Sequence, residues 1–428
     1  MSFYTLGLNL SYHDCSVSLF EDDNLVFFHQ SERSTRIKHS SVVDLKPIEY
    51  ILKNFTKKID LFVLGANRKI NSNTIKFIDK NFEVKKIILT EEPSLSIEYE
   101  KLCQDLEVEE FTHHTSHAMS AFYMSPFDEA VCLVIDAIGS AYTLPTEQHI
   151  KKVDGQGISG VRGNETTSII EISKNYKTKL LYKRSQILPV LLYNKPEGVV
   201  PIAFIGAGLY QHKVREKCDP FKKVFNFISD ASSHMDIGNM YHTISLHLGF
   251  GWHGHGKVMG LAGYGKEDLS IPPFLVNDTI YSNNNLFSLG RELNESLYPE
   301  LFENLTFDKK ANISYAMQRS LEKTFLHHAE FIMKNSKSRN LVIGGGCALN
   351  ILGVSLIKQH YPEFNIFVDP IAHDATHSIG QGIHYYNVLI KKCQLEKRNN
   401  FNSIYLGPKY DEAQMNSEID AYVNAQRV

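Results

Sequence analysis

The segment Phe111-Thr-His-His-Thr-Ser-His-Ala-Met-Ser-Ala-Phe-Tyr-Met-Ser-Pro-Phe127 sets His113 and His117 four residues apart, ahead of an apolar run that ends in Asp136. On a helix, residues i and i+4 share a face about 5–6 Å apart, a separation at which two imidazoles grip one divalent ion. The pair is half a metal site, and a third ligand must come from elsewhere. Asp374 is the candidate. In Phe367-Val-Asp-Pro-Ile-Ala-His-Asp-Ala-Thr-His-Ser-Ile-Gly380 it follows a predicted strand and opens a glycine-containing helix, where a carboxylate can point into a cleft. The pattern lacks the glutamate of the zinc-protease motif, and capping or core histidines are the alternative reading.

Elements able to position these groups are legible around them. Leu6–Leu10, Ser16–Phe20 and Leu25–Phe28 read as strands, separated by a polar corner at Ser11–Cys15 and a turn at Glu21–Asn24. A looser echo starts at Ala130-Val-Cys-Leu-Val-Ile-Asp-Ala-Ile-Gly139, and two such starts imply a duplicated, two-lobed α/β fold. A further strand, Leu341–Ile343, runs into Gly344-Gly-Gly-Cys-Ala-Leu-Asn350 and an apolar helix. Backbone N–H groups at Gly344, Gly345 and Gly346 could hold phosphate, or the glycines could serve only to let a helix approach a sheet. The glycine-dense run Gly249–Gly265 reads as a loop held close to something, with Lys257 either meeting a phosphate or solvated. Residues 312–335 have the spacing of a core-facing helix without chemistry. After Lys391 the charge and asparagine content mark a linker, and Tyr405–Glu412 reads as the first element of a further domain.

With 428 residues the chain is long enough for two or three domains. No window approaches the ~20 apolar residues that span a bilayer, so no membrane partner is expected. The amino terminus has no basic segment ahead of its apolar run, and the six cysteines are scattered without a C-x-x-C pair. Both features point to a cytoplasmic protein without a disulfide framework. The formal net charge is −3, yet Ser140–Met235 carries fourteen Lys or Arg against eight Asp or Glu. A basic segment on an acidic body could dock nucleic acid or a nucleotide, or could be a solvated loop.

The chain resembles the O-carbamoyltransferases that include nodulation protein U and the cephalosporin hydroxymethyl and aminoglycoside-antibiotic carbamoyltransferases. The resemblance rests on Tyr12–Ser16, Ser31–His39, His113–Phe127, Val134–Asp136, Gly256–Ala262, Gly344–Asn350, and Asp374 with its following glycines, in family order along nearly the whole chain. It implies a sugar-kinase/actin-like, ribonuclease-H-like domain similar to that of the tRNA threonylcarbamoyl-adenosine transferases, over residues 1–398, with 140–235 as an insertion. It implies a divalent metal, usually iron, on His113, His117 and Asp374. It also places ATP or carbamoyl adenylate, formed from carbamoyl phosphate, near Lys257, Gly260, Gly344, Gly345, Gly346 and Asn350. Two positions depart from the family: His255 stands where an acidic residue is usual, and Ala137 where glycine is. Residues 399–428 correspond only to a linker and the start of the family's carbamoyl-adenylate-forming domain, so a separate activating domain or chain is an expected partner.

The chemistry implied is transfer of a carbamoyl group to a hydroxyl or hydroxymethyl acceptor. His13, with His114 behind it, is the candidate general base, and Asp136 joins them as a candidate catalytic group. Arg33 and Lys38 could bind phosphate. A hydroxymethylpyrimidine in DNA or a nucleotide suits the basic segment, and an antibiotic or sugar hydroxyl is the alternative. A kinase-like phosphotransferase or a non-catalytic binding module would share the fold but give the paired histidines no task.

Overall fold

Strand order repeats between the two halves of the molecule. The computed structural model describes the chain apart from residues 1, 11–12, 67–71, 90–110, 145–151, 154–155, 196–197, 202–229, 233, 277–278, 288–292, 393, 398–400, 402, 410 and 426–428. Tyr12 and much of the basic segment 140–235 therefore lie outside the described residues. The first half contributes β1 (Tyr4–Leu10), β2 (Ser16–Glu21), β3 (Asn24–Gln30), β4 (Leu61–Ala66) and β5 (Ile87–Leu89). The second contributes β6 (Ala130–Ile135), β7 (Gln156–Ile172), β8 (Thr178–Lys195), β9 (Asn340–Gly344) and β10 (Asn365–Val368). The sheets are ordered β3-β2-β1-β4-β5 and β8-β7-β6-β9-β10, short strands widening the second. In each, three antiparallel strands are continued by two parallel ones. This is the duplicated two-lobed α/β architecture expected from the two similar strand starts, in the actin-like form that the family resemblance implies.

All six residues of β6 are buried, the signature of a strand covered on both faces. Its alternation divides two cores. Val131, Leu133 and Ile135 join the core of the second lobe, while Ala130, Cys132 and Val134 join a core shared with Phe20, Leu61 and Val63 of the first. The helices that matter here are α1 (His113–Met124), α2 (Ile237–His247), α3 (His255–Ala262), α4 (Phe307–Asn335), α5 (Ile351–His360) and α6 (His377–Tyr385). Helix α1 packs on β6, β7 and β9, α6 packs on β1, β2 and β4, and the two helices pack on each other between the sheets. Gly380 makes that crossing close: a Cβ there would collide with the Ser116 carbonyl oxygen of α1. Thr112 starts α1 by accepting the Thr115 N–H with its side chain.

Three expectations need correction. The run Gly249–Gly265 is not all loop: Gly249 and Gly251 turn the chain with φ of 78° and 79°, and α3 follows. Helix propensity argues against this helix, but burial of Val258 and Ala262 against α4 overrides it. The helix predicted from Asn312 begins earlier, at Phe307, because Thr306 caps it by accepting the Lys309 N–H. The stretch expected as a linker is docked on the first lobe. Lys397 buries its ammonium against the carbonyls of Ser125 and Phe127, and the Phe28 N–H donates to Leu406 O. Helix α7 (Glu412–Ala425) follows. Among the described residues no helix is long and apolar enough to cross a membrane.

The α1–α6 crossing gives a stability test. Gly380→Ala is expected to cost about 1–3 kcal/mol, since the clash is with backbone on a neighbouring helix and cannot be relieved by a rotamer. Gly260→Ala in α3, where a Cβ meets nothing within 4 Å, is expected to gain up to about 1 kcal/mol. Denaturant midpoints of the two variants check both signs.

Candidate metal centre

Helix α1 presents His113 and His117 one turn apart, with their ring centroids 4.9 Å from each other and both side chains buried. Asp374 reaches them from a short turn, Asp374–Thr376, that leads into α6. Its Oδ1 lies 3.6 Å from His113 Nε2 and 3.8 Å from His117 Nε2. His377, the first residue of α6, completes the cluster with its Nε2 3.8 Å from the same oxygen. Asp136, just past the end of β6, brings Oδ2 to 3.0 Å from His113 Nε2 and 3.5 Å from His117 Nε2. Ligand atoms of His113, His117, Asp374 and His377 all fall within 4.8 Å of one another.

Contacts of 3.6–3.8 Å to Asp374 Oδ1 stand at or just beyond the roughly 3.0–3.6 Å that separates ligands held about 2.0–2.2 Å from one tetrahedral ion. Among the described residues, both ring nitrogens of His117 and of His377 are buried without a hydrogen-bond partner. Orphaned buried nitrogens cost about 1–3 kcal/mol each unless something else engages them. Burial, reinforced by His113 and His117, pushes the His377 imidazole down to about 4, so it is neutral near pH 7 with a lone pair to offer. Burial opposes charge on Asp136 and Asp374 too, but facing imidazoles outweigh it and hold both carboxyls well below their ordinary range. Imidazole nitrogens beside ionised carboxylates are a donor set for iron, zinc or a similar ion.

His13 stands at the edge of this cluster, with Nδ1 2.6 Å from Asp14 and Nε2 3.8 Å from Asp374 Oδ2. Burial works against its charge, but Asp374, Asp14 and Asp136 raise it to about 9. His114 faces elsewhere. Its Nδ1 is 2.8 Å from Ser168 Oγ on β7, and burial lowers the fully covered ring to about 3. It packs into the second lobe, away from the cluster, because the residue after His113 is turned about 100° from it around the helix.

Glycines Gly344–Gly346 form the wall behind the cluster. Gly345 has φ of 80°, and a Cβ on it would stand 2.5 Å from Ile135 O; a Cβ on Gly346 would stand 3.2 Å from Asp136 Oδ1. Gly344 lies in ordinary contact with the His117 side chain. Asn350 turns its amide inward, accepting the Gly353 N–H at 2.9 Å to cap α5 and donating to Gln318 at 2.8 Å. Lys257 is exposed in the first turn of α3, its Nζ 6.0 Å from the Phe250 ring, and Gly260 faces open space on the same helix. Arg33 is exposed with a guanidinium nitrogen 3.6 Å from Glu32, and Lys38 is exposed.

The amino end of α1 is held from the second lobe. The Glu165 carboxylate accepts the N–H groups of His114 at 3.3 Å and Ser140 at 3.2 Å, and the Ser140 hydroxyl accepts the N–H of His113 at 2.9 Å. Lys183, across the β7–β8 pair, neutralises Glu165, while Arg184 pairs with Asp236 at 3.4 Å. All four are buried. Two of the basic residues counted towards a docking surface therefore face inward, a distinction that a charge count along the chain cannot make. His377 was the ligand candidate missed in the sequence, though it stands three residues after Asp374, on the same helical face.

A family model for the carbamoyltransferase N-terminus matches residues 4–156 and 193–383. The unmatched interval coincides with most of the β7–β8 hairpin. The chain is 23% identical over 465 residues to an uncharacterised protein of Synechocystis sp., covering 99% of this chain and 63% of that one. It is 22% identical over 417 residues to nodulation protein NolNO of Sinorhizobium fredii, covering 94% of this chain and 50% of that one. The chain thus spans about half to two thirds of the length of these relatives. Among solved structures, full-length HypF in its phosphate- and nucleotide-bound form aligns with a TM-score of 0.45 at 13% identity, over 91% of this chain and 56% of that one.

Competition titration against a chelator should show His377→Ala weakening metal binding at this centre by about 10–100-fold, the range seen when a group supporting a metal ligand is lost, and His117→Ala weakening it further. Wild-type affinity in either variant would remove that residue from the ligand set. The support behind α1 has its own signature. Burial opposes charge on Glu165, but Lys183 and His114 hold its carboxyl at about 2 against an ordinary 4.5. A depressed acid stabilises the fold above its unfolded value and loses that contribution as pH falls through the folded one. Wild-type stability should therefore drop more steeply from pH 4.5 towards 2 than that of Glu165→Gln/Lys183→Met, while Lys183→Met alone should cost about 3–5 kcal/mol at pH 7.

Proposed function

Since this chain belongs to the carbamoyltransferase N-terminus family, we propose that it carries the transfer site of an O-carbamoyltransferase, moving a carbamoyl group from carbamoyl adenylate to a hydroxyl-bearing acceptor. The observation that carries this reading is the convergence of His113, His117, Asp374, His377 and Asp136 beside the glycine turn Gly344–Gly346. A phosphotransferase with the same lobes would not need two buried imidazoles lacking hydrogen-bond partners. A divalent ion on these side chains, iron by family resemblance, would draw electron density from the carbamoyl or phosphate oxygen.

Protein groups supply the rest. The turn's backbone N–H groups can hold the phosphate of the adenylate, with no Cβ at these positions to block close approach. The acceptor oxygen attacks the carbamoyl carbon, the new C–O bond forms, and the bond to the AMP phosphate breaks. The acceptor proton passes to His13 Nε2, which Asp14 orients through Nδ1. His13 is protonated at neutral pH while Asp374, Asp14 and Asp136 act on it uncompensated. Positive charge among these carboxylates lowers it towards the range where it accepts a proton.

Carbamoyl adenylate made from carbamoyl phosphate and ATP is the proposed donor, supplied by a separate activating domain or chain. The basic segment 140–235 supports a phosphorylated acceptor, a hydroxymethylpyrimidine in DNA or a nucleotide. The inward turn of Lys183 and Arg184 favours an uncharged antibiotic or sugar hydroxyl instead. A cytoplasmic setting suits these cosubstrates.

Mass spectrometry of hydroxymethylated DNA, sugars and antibiotics, incubated with this chain, ferrous iron and carbamoyl adenylate, tests the reading. Addition of one CONH group to an acceptor, lost in His117→Ala, is expected. Absence of product on every acceptor with the preformed adenylate overturns it, and product on DNA that declines with added salt assigns the acceptor to the basic segment.

A further inference from the structure

The loop that carries Asp136 out of β6 is held by a side chain that stands outside the metal centre. Pairing of β6 with β7 ends at Ile135, after which the Asp136 N–H donates to Thr166 O at 3.0 Å and the Gly139 N–H to Glu165 O at 2.7 Å. Between these two bonds both backbone groups of Ala137 are engaged by side chains. Its N–H donates to Asp136 Oδ1 and its carbonyl accepts from Asn239 Nδ2, each at 2.7 Å. We propose that Asn239, in the first turn of α2, is a positioning residue for Asp136, fixing the carboxylate that faces His113 and His117.

A carboxylate on a loop rotates unless one of its oxygens is held. With Oδ1 on the Ala137 N–H, Oδ2 is the oxygen that stands 3.0 Å from His113 Nε2 and 3.5 Å from His117 Nε2. Rotation of the Ala137 backbone would swing that N–H away, and the bond from Asn239 to the Ala137 carbonyl opposes it. Gly238 brings α2 close enough for the contact: a Cβ there would stand 2.8 Å from Ala137 N and 2.9 Å from Ala137 Cα. The first turn of α2 therefore lies flush against the loop that bears the carboxylate.

The amide has one orientation available. Asn239 Nδ2 also donates to Gln186 Oε1 on β8 at 2.7 Å, and since both neighbours are oxygens the NH2 end must face them. Asn239 and Gln186 are both buried. Among the described residues Asn239 Oδ1 has no hydrogen-bond partner, so the grip on Ala137 and Gln186 is what the buried amide gains. Alternation along β8 gives that strand two tasks. Arg184 and Gln186 hold the start of α2 through Asp236 and Asn239, while Lys183, between them, pairs with the Glu165 that receives the amino end of α1. One strand thus braces the helix that carries His113 and His117 and, through α2, the loop that carries Asp136.

The proposal rests on the metal centre described above and is tested on the metal-free full chain, with Zn²⁺ affinity read by competition against a chelator and Co²⁺ binding by visible absorption. Asn239→Ala is expected to weaken Zn²⁺ binding by about 10–100-fold, the range for loss of a group that supports a metal ligand, and to change the Co²⁺ absorption. A double-mutant cycle separates positioning from a general loss of structure. The factor lost on Asn239→Ala should be smaller when measured in the Asp136→Asn chain, because the residue acted upon is already altered. Wild-type affinity or wild-type Co²⁺ absorption in folded Asn239→Ala, or a factor undiminished in Asp136→Asn, overturns the proposal. Circular dichroism confirms folding, and where Asn239→Ala does not fold, Gln186→Met, which keeps bulk but removes the acceptor that steadies the amide, is judged by the same cycle. Because neither donor nor acceptor is present, the outcome is independent of whether the chain transfers carbamoyl groups.

Discussion

The contact between α1 and α6 at Gly380 is the constraint from which the rest of the molecule follows. Each helix covers the inner face of its own sheet, so the distance between them sets the distance between the lobes. With no side chain at Gly380, the Ser116 carbonyl can lie against the α6 backbone. At that spacing His117, one residue after Ser116, and His377, three before Gly380, have ring centroids 4.4 Å apart. A wider crossing would leave two imidazoles in separate apolar pockets. The closer one faces them towards each other and towards Asp374 and Asp136, where their buried nitrogens have a shared purpose.

Charge is arranged in two tiers around this crossing. Among the described residues the inner tier of carboxylates and imidazoles leaves ring nitrogens of His117 and His377 without hydrogen-bond partners, the feature on which the proposed cation rests. The outer tier, Glu165 with Lys183 and Arg184 with Asp236, pairs its charges within the protein. A carboxylate at the amino end of α1 is favoured by the helix dipole and satisfies N–H groups that the helix cannot. The outer tier thus holds the His113–His117 turn in place without competing for the ion. Three of its four residues, Glu165, Lys183 and Arg184, lie in the part of the hairpin that the family model leaves unmatched.

Legibility in the sequence tracked locality. The strand starts, the His113–His117 spacing and Asp374 at the head of a glycine-bearing helix are short-range patterns, and the two-lobed fold could be read from them. Helix α3 could not, because its stability comes from contact with α4 rather than from its glycine-rich residues. The direction of His114 depended on rotation about α1, and the burial of Lys183 and Arg184 on which strands flank them. His377 was within reach, since an i, i+3 relation to Asp374 is visible in the chain. The approach of His39 to Asp14 was not, because His39 arrives from a loop more than twenty residues beyond His13 and is set by a left-handed backbone that no residue pattern announces.

Where the chemistry sits follows from the sheets. His13 and Asp14 follow β1, Asp136 follows β6, Gly345 and Gly346 follow β9, and Asp374 follows β10, so each group stands beyond the carboxyl end of a strand. In open α/β sheets that edge is where ligands bind, because the strands diverge there and loops leave a crevice. Duplication places two such edges face to face, with α1 and α6 between them. His113, His117, Asp136 and Asp374 are carried by α1 and by the segments after β6 and β10 of the second sheet, while His377 comes from α6, the helix that covers the first. The candidate ligands are therefore completed across the helix crossing, which argues for a contact as tight as the one Gly380 permits.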